Sequence, residues 1–328
     1  MSKVITVKNL TKSFKVYKKE KGLMGSVKSL FDRKYTEVKA VDNVSFEIDK
    51  GEFVGFIGPN GAGKTTTLKC LTGLLYPTSG TVKVLGHTPW AREHDYLKRV
   101  ALVMGQKNQL WWDLPAQDSF ELNKAIYEIP DDEYQTKYYE LAELLEVKDI
   151  LDIQVRKLSL GQRMRCELMS AFLHSPEVIF LDEPTIGLDV VMQKKLRSFF
   201  KEYNSRYDTT VILTSHYMDD VKELCKRVII IDGGTILYDG KLESLVNKYV
   251  KYRHISFIPT QKIMKSDLMK LGDVVNYSKD HVILSVLRND ATNVSAKLLK
   301  NFEIEDLQID EMSLEDVIRK IFTKSEPV

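Results

Sequence analysis

Phe53-Val-Gly-Phe-Ile-Gly58-Pro-Asn-Gly-Ala-Gly63-Lys64-Thr65-Thr66 is the stretch whose reading decides the fold. It matches G-x-x-x-x-G-K-[ST], with a strand-sized apolar run before it and Leu68 and Leu71 at helical spacing after it, stopped near Gly73 and Pro77. Glycines let backbone wrap an anion without side-chain clashes, so that several N–H groups converge on phosphate oxygens. The helix that follows adds its positive N-terminal end. Gly58, Pro59, Asn60, Gly61, Ala62, Gly63, Lys64, Thr65 and Thr66 are therefore the candidate phosphate-binding loop. Lys64 is placed for the β- and γ-phosphates and Thr65 for Mg²⁺. A guanine reader would carry N-K-x-D. The Asn-Lys pairs at 123 and 247 run on into Ala-Ile and Tyr-Val, so ATP is the expected nucleotide.

Around this loop the chain alternates strands and helices. Val4–Val7, Val44–Ile48 and Phe53–Ile57 read as strands, as do Val178–Leu181, Val211–Leu213 and Val228–Ile231. Residues 107–172 carry helical periodicity, for example Leu141, Leu144, Leu145 and Val147. The pattern predicts an α/β fold: a mixed-sheet core with a helical subdomain at about 107–172. From about 245 the rhythm changes to strand (Ile255–Ile258), helix (261–271), two strands (273–287), helix (293–301) and strand (Ile304–Ile309). That β-α-β-β-α-β order predicts a small ferredoxin-like α+β domain over 245–328, closed by a helix from Leu314. The first domain then covers 1–244. It includes a basic insertion at about 15–37, where six lysines and Arg33 face only Glu20, Asp32 and Glu37. Within it Leu23, Met24, Val27, Leu30 and Phe31 share one helical face, the pattern of a short helix laid on head groups or on a membrane subunit.

Composition narrows the function classes. The 328 residues are 43% hydrophobic and 29% charged, with a net charge of +2, which disfavours nucleic-acid binding through bulk charge. The longest apolar run, Val100–Met104, is far short of the ~20 residues that span a bilayer. The alternating start has no signal-peptide core. Cys70, Cys166 and Cys225 have no metal-ligand or disulfide spacing. A cytosolic, reduced chain is expected.

Leu158-Ser159-Leu160-Gly161-Gln162 closely resembles the ATP-binding-cassette signature, usually written LSGGQ. Val178-Ile-Phe-Leu-Asp182-Glu183-Pro-Thr185 resembles a Walker B strand with its trailing glutamate. Gly187-Leu188-Asp189 resembles a D-loop, Thr214-Ser215-His216 the switch histidine, and Gln106 stands at the place of the Q-loop. The five motifs stand in family order over residues 1–240. The resemblance implies that Asp182 holds Mg²⁺ with Thr65 and Gln106, and that Glu183 acts as general base with His216 and Gln106 beside it. Ser159, Gly161 and Gln162 are then offered across a dimer interface to a second cassette's ATP, and Asp189 belongs to the same nucleotide surroundings. Leu160 replaces the usual glycine, which predicts modest tuning. Phe14 stands where cassettes carry the adenine-stacking aromatic, with Tyr17 as runner-up.

Trp111 and Trp112 follow the Q-loop, where the family forms the groove for a membrane subunit. The end of the chain resembles cassettes of type-2 drug and polysaccharide exporters. The resemblance implies an ATPase at the cytoplasmic face of the plasma membrane. It would form a homodimer or a heterodimer with a related cassette, driving export through separate transmembrane permease subunits. One alternative is a soluble cassette acting on ribosomes or DNA; those carry fused cassettes or coiled-coil arms, and this chain has one signature and no sustained heptads. Another is a non-hydrolysing regulatory cassette, against which stand Glu183 and His216.

Overall fold

The computed structural model describes residues 2–17, 35–249, 251–261, 263–311 and 313–323. By internal packing the chain divides into Met1–Asp239 and Gly240–Val328, a few residues earlier than the change of rhythm at 245.

In the first unit β1 (Lys3–Tyr17) and β2 (Tyr35–Asp49) pair antiparallel along their full length, from Lys3 opposite Asp49 to Tyr17 opposite Tyr35. Along β2 buried and solvent-facing residues alternate from Val44 onward, as in a sheet with one wet face. The strand pairing reaches into both ends of the expected insertion. Lys15–Tyr17 and Tyr35–Glu37 belong to the hairpin, because the ladder continues through Lys15 opposite Glu37. The helical face read from Leu23 to Phe31 lies outside the described residues.

The chain continues through β3 (Phe53–Ile57), α1 (Lys64–Leu71) and β4 (Ser79–Val84), then α2 (His94–Lys98) and β5 (Val100–Met104). The helical stretch holds α3 (Ala116–Tyr127), α4 (Asp131–Leu144) and α5 (Leu160–Phe172). It is followed by β6 (Val178–Asp182), α6 (Val190–Tyr207), β7 (Thr210–Thr214), α7 (Met218–Leu224), β8 (Arg227–Asp232) and β9 (Thr235–Lys241). Among the described residues two sheets form in this unit, ordered β2-β1-β4 and β5-β6-β7-β3-β8-β9. The run from β5 to β8 is parallel. Every residue of β3, β6 and β7 is buried, which explains why they read as unbroken apolar runs: both faces of a parallel sheet are covered. One core joins the two sheets, with Ile5, Phe46 and Ile48 packed in the same cluster as Phe56, Phe180 and Leu68. The three cysteines are buried and free.

In the second unit, after α8 (Leu242–Tyr249), come β10 (Tyr252–Pro259), α9 (Lys265–Met269), β11 (Asp273–Tyr277), β12 (Val282–Leu287), α10 (Ala291–Asn301), β13 (Ile304–Glu311) and α11 (Leu314–Thr323). The sheet order β11-β12-β10-β13, antiparallel throughout, is the ferredoxin-like arrangement. Its own core gathers Ile255, Phe257, Leu268, Leu284 and Leu298. Helix α9 is shorter than the 261–271 expected. Thr260 donates its N–H to the Glu303 carbonyl, which holds the preceding residues to the sheet, and the Leu271 and Gly272 N–H groups turn back onto Leu268.

Candidate nucleotide-binding site

The loop between β3 and α1 owes its shape to glycine. Gly63 has φ +104°, and a Cβ there would stand 2.3 Å from the Ala40 carbonyl oxygen, so a larger residue would be strained and would clash with the start of β2's buried half. Lys64 is 5% exposed; its Nζ donates to the carbonyls of Gly58 at 2.6 Å and Pro59 at 3.0 Å, which draws the loop around the ammonium. Burial lowers the Lys64 pKa, while the Glu183 and Asp182 carboxylates favour its charged form. Ala62 donates to the Pro59 carbonyl, and Gly234 to that of Ala62, so the loop is tied down from within and from the turn before β9. Asn60 and Gly61 face solvent.

Asp182 ends β6, and parallel register sets it beside Thr214, the last residue of β7. Thr214 Oγ1 donates to Asp182 Oδ1 at 2.7 Å, and Thr65 Oγ1 donates to Asp182 Oδ2 at 2.9 Å. These hard oxygens beside a phosphate-binding loop are the donors Mg²⁺ takes in nucleotide sites, one or two from protein and the rest from phosphate and water. Among the described residues there is no cluster of three or more His, Cys, Asp and Glu suited to hold a metal by itself.

Glu183 follows with φ +56°, a left-handed conformation unusual for glutamate. Its N–H donates to Thr214 through the carbonyl at 3.0 Å and the hydroxyl at 3.1 Å. The carboxylate lies between two side chains: His216 Nε2 is 2.7 Å from Oε1 and Gln106 Nε2 is 3.4 Å from Oε2. Gln106 gets there because β5 pairs with β6 and because residue 105 is glycine; a Cβ there would stand 2.0 Å from the Glu183 carbonyl oxygen. Lys64, Thr65, Asp182, Glu183, Gln106 and His216 thus converge, although they come from four separate parts of the chain. Below them Asp220, fully buried, accepts from Thr185 at 2.6 Å, Ser215 at 2.7 Å and Arg197 at 2.9 Å, joining the loops that leave β6 and β7.

Other candidates have their contacts elsewhere. Ser159, Leu160, Gly161 and Gln162 form the start of α5. Ser159 Oγ accepts from the Gln162 N–H at 3.2 Å, and Gln162 Oε1 from the Ser159 N–H at 2.9 Å, a reciprocal cap. Asp189 Oδ1 caps α6 by accepting from Met192 N–H at 2.9 Å. The hydrogen bonds of these side chains reach none of residues 58–66. Phe14 lies on β1 opposite Val38, 38% exposed, with Lys12 Nζ 5.1 Å from its ring centre. Tyr17 lies at the far end of the same strand, opposite Tyr35. Sequence reasoning quoted Thr214 but assigned it nothing. The signal was there: β6 and β7 are equal apolar runs, and parallel pairing sets their last residues side by side.

A glycine-rich G-x-x-x-x-G-K-T loop at the head of a mixed α/β sheet, with paired acidic residues across one intervening strand, defines a P-loop nucleotide-binding cassette. Residues 41–186 match the family described as ABC transporter, and residues 251–310 match the EvrA-like ABC transporter, C-terminal domain. The chain is 34% identical over 215 residues to the ABC transporter ATP-binding protein NatA of Bacillus subtilis (strain 168), covering 66% of this chain and 87% of that protein. Nod factor export ATP-binding protein I of Ralstonia nicotianae (strain ATCC BAA-1114 / GMI1000) is 32% identical over 218 residues, 65% of this chain and 66% of that one. In fold, the dimeric post-hydrolysis state of an ATP-binding cassette bound to ADP and Pi aligns with a TM-score of 0.60 over 73% of this chain and 98% of that one, at 24% identity. The chain belongs to the ABC transporter family, as an ATP-binding subunit. Among the described residues no helix is long and apolar enough to cross a membrane.

Proposed function

We propose that this chain binds and hydrolyses ATP at the 58–66 loop and thereby powers export through separate transmembrane permease subunits, as a type-2 cassette. The observation that carries the catalytic part is the Glu183 carboxylate held between His216 and Gln106, one residue from the Asp182–Thr65 pair. Loop N–H groups from Asn60 to Thr66, with Lys64, cradle the phosphates. Phe14 stacks on adenine, with Tyr17 as runner-up. Thr65, Asp182 and Gln106 hold Mg²⁺, which supplies charge neutralisation at the phosphates. Glu183 takes a proton from the attacking water, and His216 orients Glu183 and meets the γ-phosphate. Phosphoryl transfer needs positioning and charge more than covalent chemistry, and this set offers both.

The caps at Ser159 and Asp189 bond within their own helix starts and not to the loop, which supports their use by a second cassette. Two chains, or this chain and a relative, close on ATP so that Ser159, Gly161, Gln162 and Asp189 of one complete the site of the other. Trp111 and Trp112, 52% and 45% exposed, suit a groove for a permease segment at the cytoplasmic face of the membrane. The basic stretch at 15–37 suits contact with head groups. Export is supported by the relative named for Nod factor export. Near-neutral charge speaks against nucleic acid as partner.

Glu183→Gln tests the proposal. Wild type should release phosphate from Mg²⁺-ATP; the variant should lose at least about a hundredfold in kcat yet accumulate as an ATP-dependent dimer on sedimentation. Unchanged turnover in the variant would overturn the general-base assignment. A wild type without turnover would favour a regulatory cassette.

A further inference from the structure

Glu167 is a buried carboxylate that the site described above does not use. It lies in the middle of α5, two turns beyond the Ser159 cap, and is 4% exposed. Its hydrogen-bond partners are peptide N–H groups: Gln109 N–H lies 2.9 Å from Oε1 and 3.0 Å from Oε2, and Leu110 N–H lies 3.3 Å from Oε1. Burial raises its pKa, and these N–H groups pull it back down. A carboxyl in a core is expensive unless its partners repay the lost water. What it holds is the segment that follows Gln106. Gln109 is also tied to β5, its Nε2 donating to the Leu102 carbonyl at 2.6 Å. Further along, the Arg163 guanidinium of α5 lies 5.3 Å from the Trp112 ring centre, and Arg156 N–H donates to the Trp112 carbonyl at 3.0 Å. The stretch 106–112 is therefore fastened to β5 on one side and to α5 on the other.

We propose that Glu167 is a positioning residue for ATP hydrolysis: by gripping the backbone of Gln109 and Leu110 from α5, it sets Gln106 against Glu183 and links that placement to the helix whose first turn carries Ser159 and Gly161. The proposal rests on the hydrolytic reading of the Glu183 cluster. The link is short and stiff. Gln106 is three residues from the gripped N–H, and a buried ionic hydrogen bond has no water to exchange with. The first turn of α5 in turn packs beside the start of α6, since a Cβ on Gly161 would lie 3.2 Å from Met192 Cγ. Movement of α5 thus moves Gln106, and the signature end and the hydrolytic end of the cassette answer to one carboxylate.

Glu167→Gln keeps the shape but puts an amide –NH₂ against a peptide N–H. With kinetics read by phosphate release, the variant should lose about ten- to a hundredfold in kcat while its KM for ATP stays within about twofold. Gln106→Ala should lose a similar factor, and the double variant Gln106→Ala/Glu167→Gln should be no slower than Gln106→Ala alone. Additive losses, a change confined to KM, or unchanged kinetics would overturn the proposal and leave Glu167 as a loop anchor only. If Glu167→Gln does not fold, Glu167→Asp, which keeps the charge and shortens the reach by one methylene, carries the same comparison. Wild type lacking hydrolysis overturns the hydrolytic reading and this proposal together. A hydrolysing wild type with an indifferent Glu167→Gln overturns this proposal alone.

Discussion

Asp182 and Glu183 are neighbours in sequence but face different partners, and Thr214 separates them. Its hydroxyl donates to Asp182 Oδ1 and accepts from the Glu183 N–H, so one oxygen sets the carboxylate proposed for Mg²⁺ and the backbone turn that aims the proposed base. Glu183 needs that anchor, because its φ of +56° is uphill for a glutamate. Thr214→Val keeps the volume and removes the bridge. Stability should fall by about 1–2 kcal/mol in urea melts, and kcat for ATP should fall by about tenfold with KM nearly unchanged. At this scale Lys64, Thr65, Asp182, Glu183 and His216 were legible, because each sits in a short motif whose chemistry demands that residue type. Thr214 and Glu167 were not: their partners, Asp182 and the Gln109–Leu110 backbone, are distant in sequence.

Element ends do much of the placing here. β5, β6 and β7 run parallel and in register, so Met104, Asp182 and Thr214 emerge at one edge, where the loops carrying Gln106, Glu183 and His216 begin. The helical stretch is moored to that sheet partly through His174, just beyond α5. Its ring stacks on Tyr127 of α3 at 3.9 Å and 5°, and its Nε2–H donates to the Val100 carbonyl at the start of β5, 3.2 Å away. Burial pushes the His174 pKa down from 6.5 to about 4. The unfolded chain therefore takes up the proton before the folded one. Stability from this residue is full above about pH 6.5 and declines as pH falls toward 4, by about 2 kcal/mol at pH 5. Urea midpoints of wild type at pH 7.5 and 5 should differ by more than those of His174→Gln, which has no proton to gain. At the expected insertion, about 15–37, strand pairing carries Lys15–Tyr17 and Tyr35–Glu37 into the β1–β2 hairpin, while the helical face read from Leu23 to Phe31 lies outside the described residues.

Among the described residues each unit has a core of its own: one joins the two sheets of Met1–Asp239, and another lies in the antiparallel sheet of Gly240–Val328. Phe257→Ala, at a position 1% exposed, should cost the second unit about 3–5 kcal/mol. Hydrogen exchange should then speed up across residues 252–311, while ATP binding at the 58–66 loop persists. Loss of nucleotide binding in that variant would show the cores to be energetically one. The sequence by itself determined the fold class, the loop proposed to take phosphate, the acidic pair and the β-α-β-β-α-β order of the second unit. Those are local facts, since periodicity and motif spacing follow from strand, turn and helix geometry over a few residues. Tertiary structure decided which side chains meet: Glu183 with His216 and Gln106, Asp182 with Thr65 and Thr214, and Glu167 with Gln109 and Leu110. Such pairings depend on strand order and register and on helix packing. These form only when burial brings distant segments together, and no window of the chain contains them.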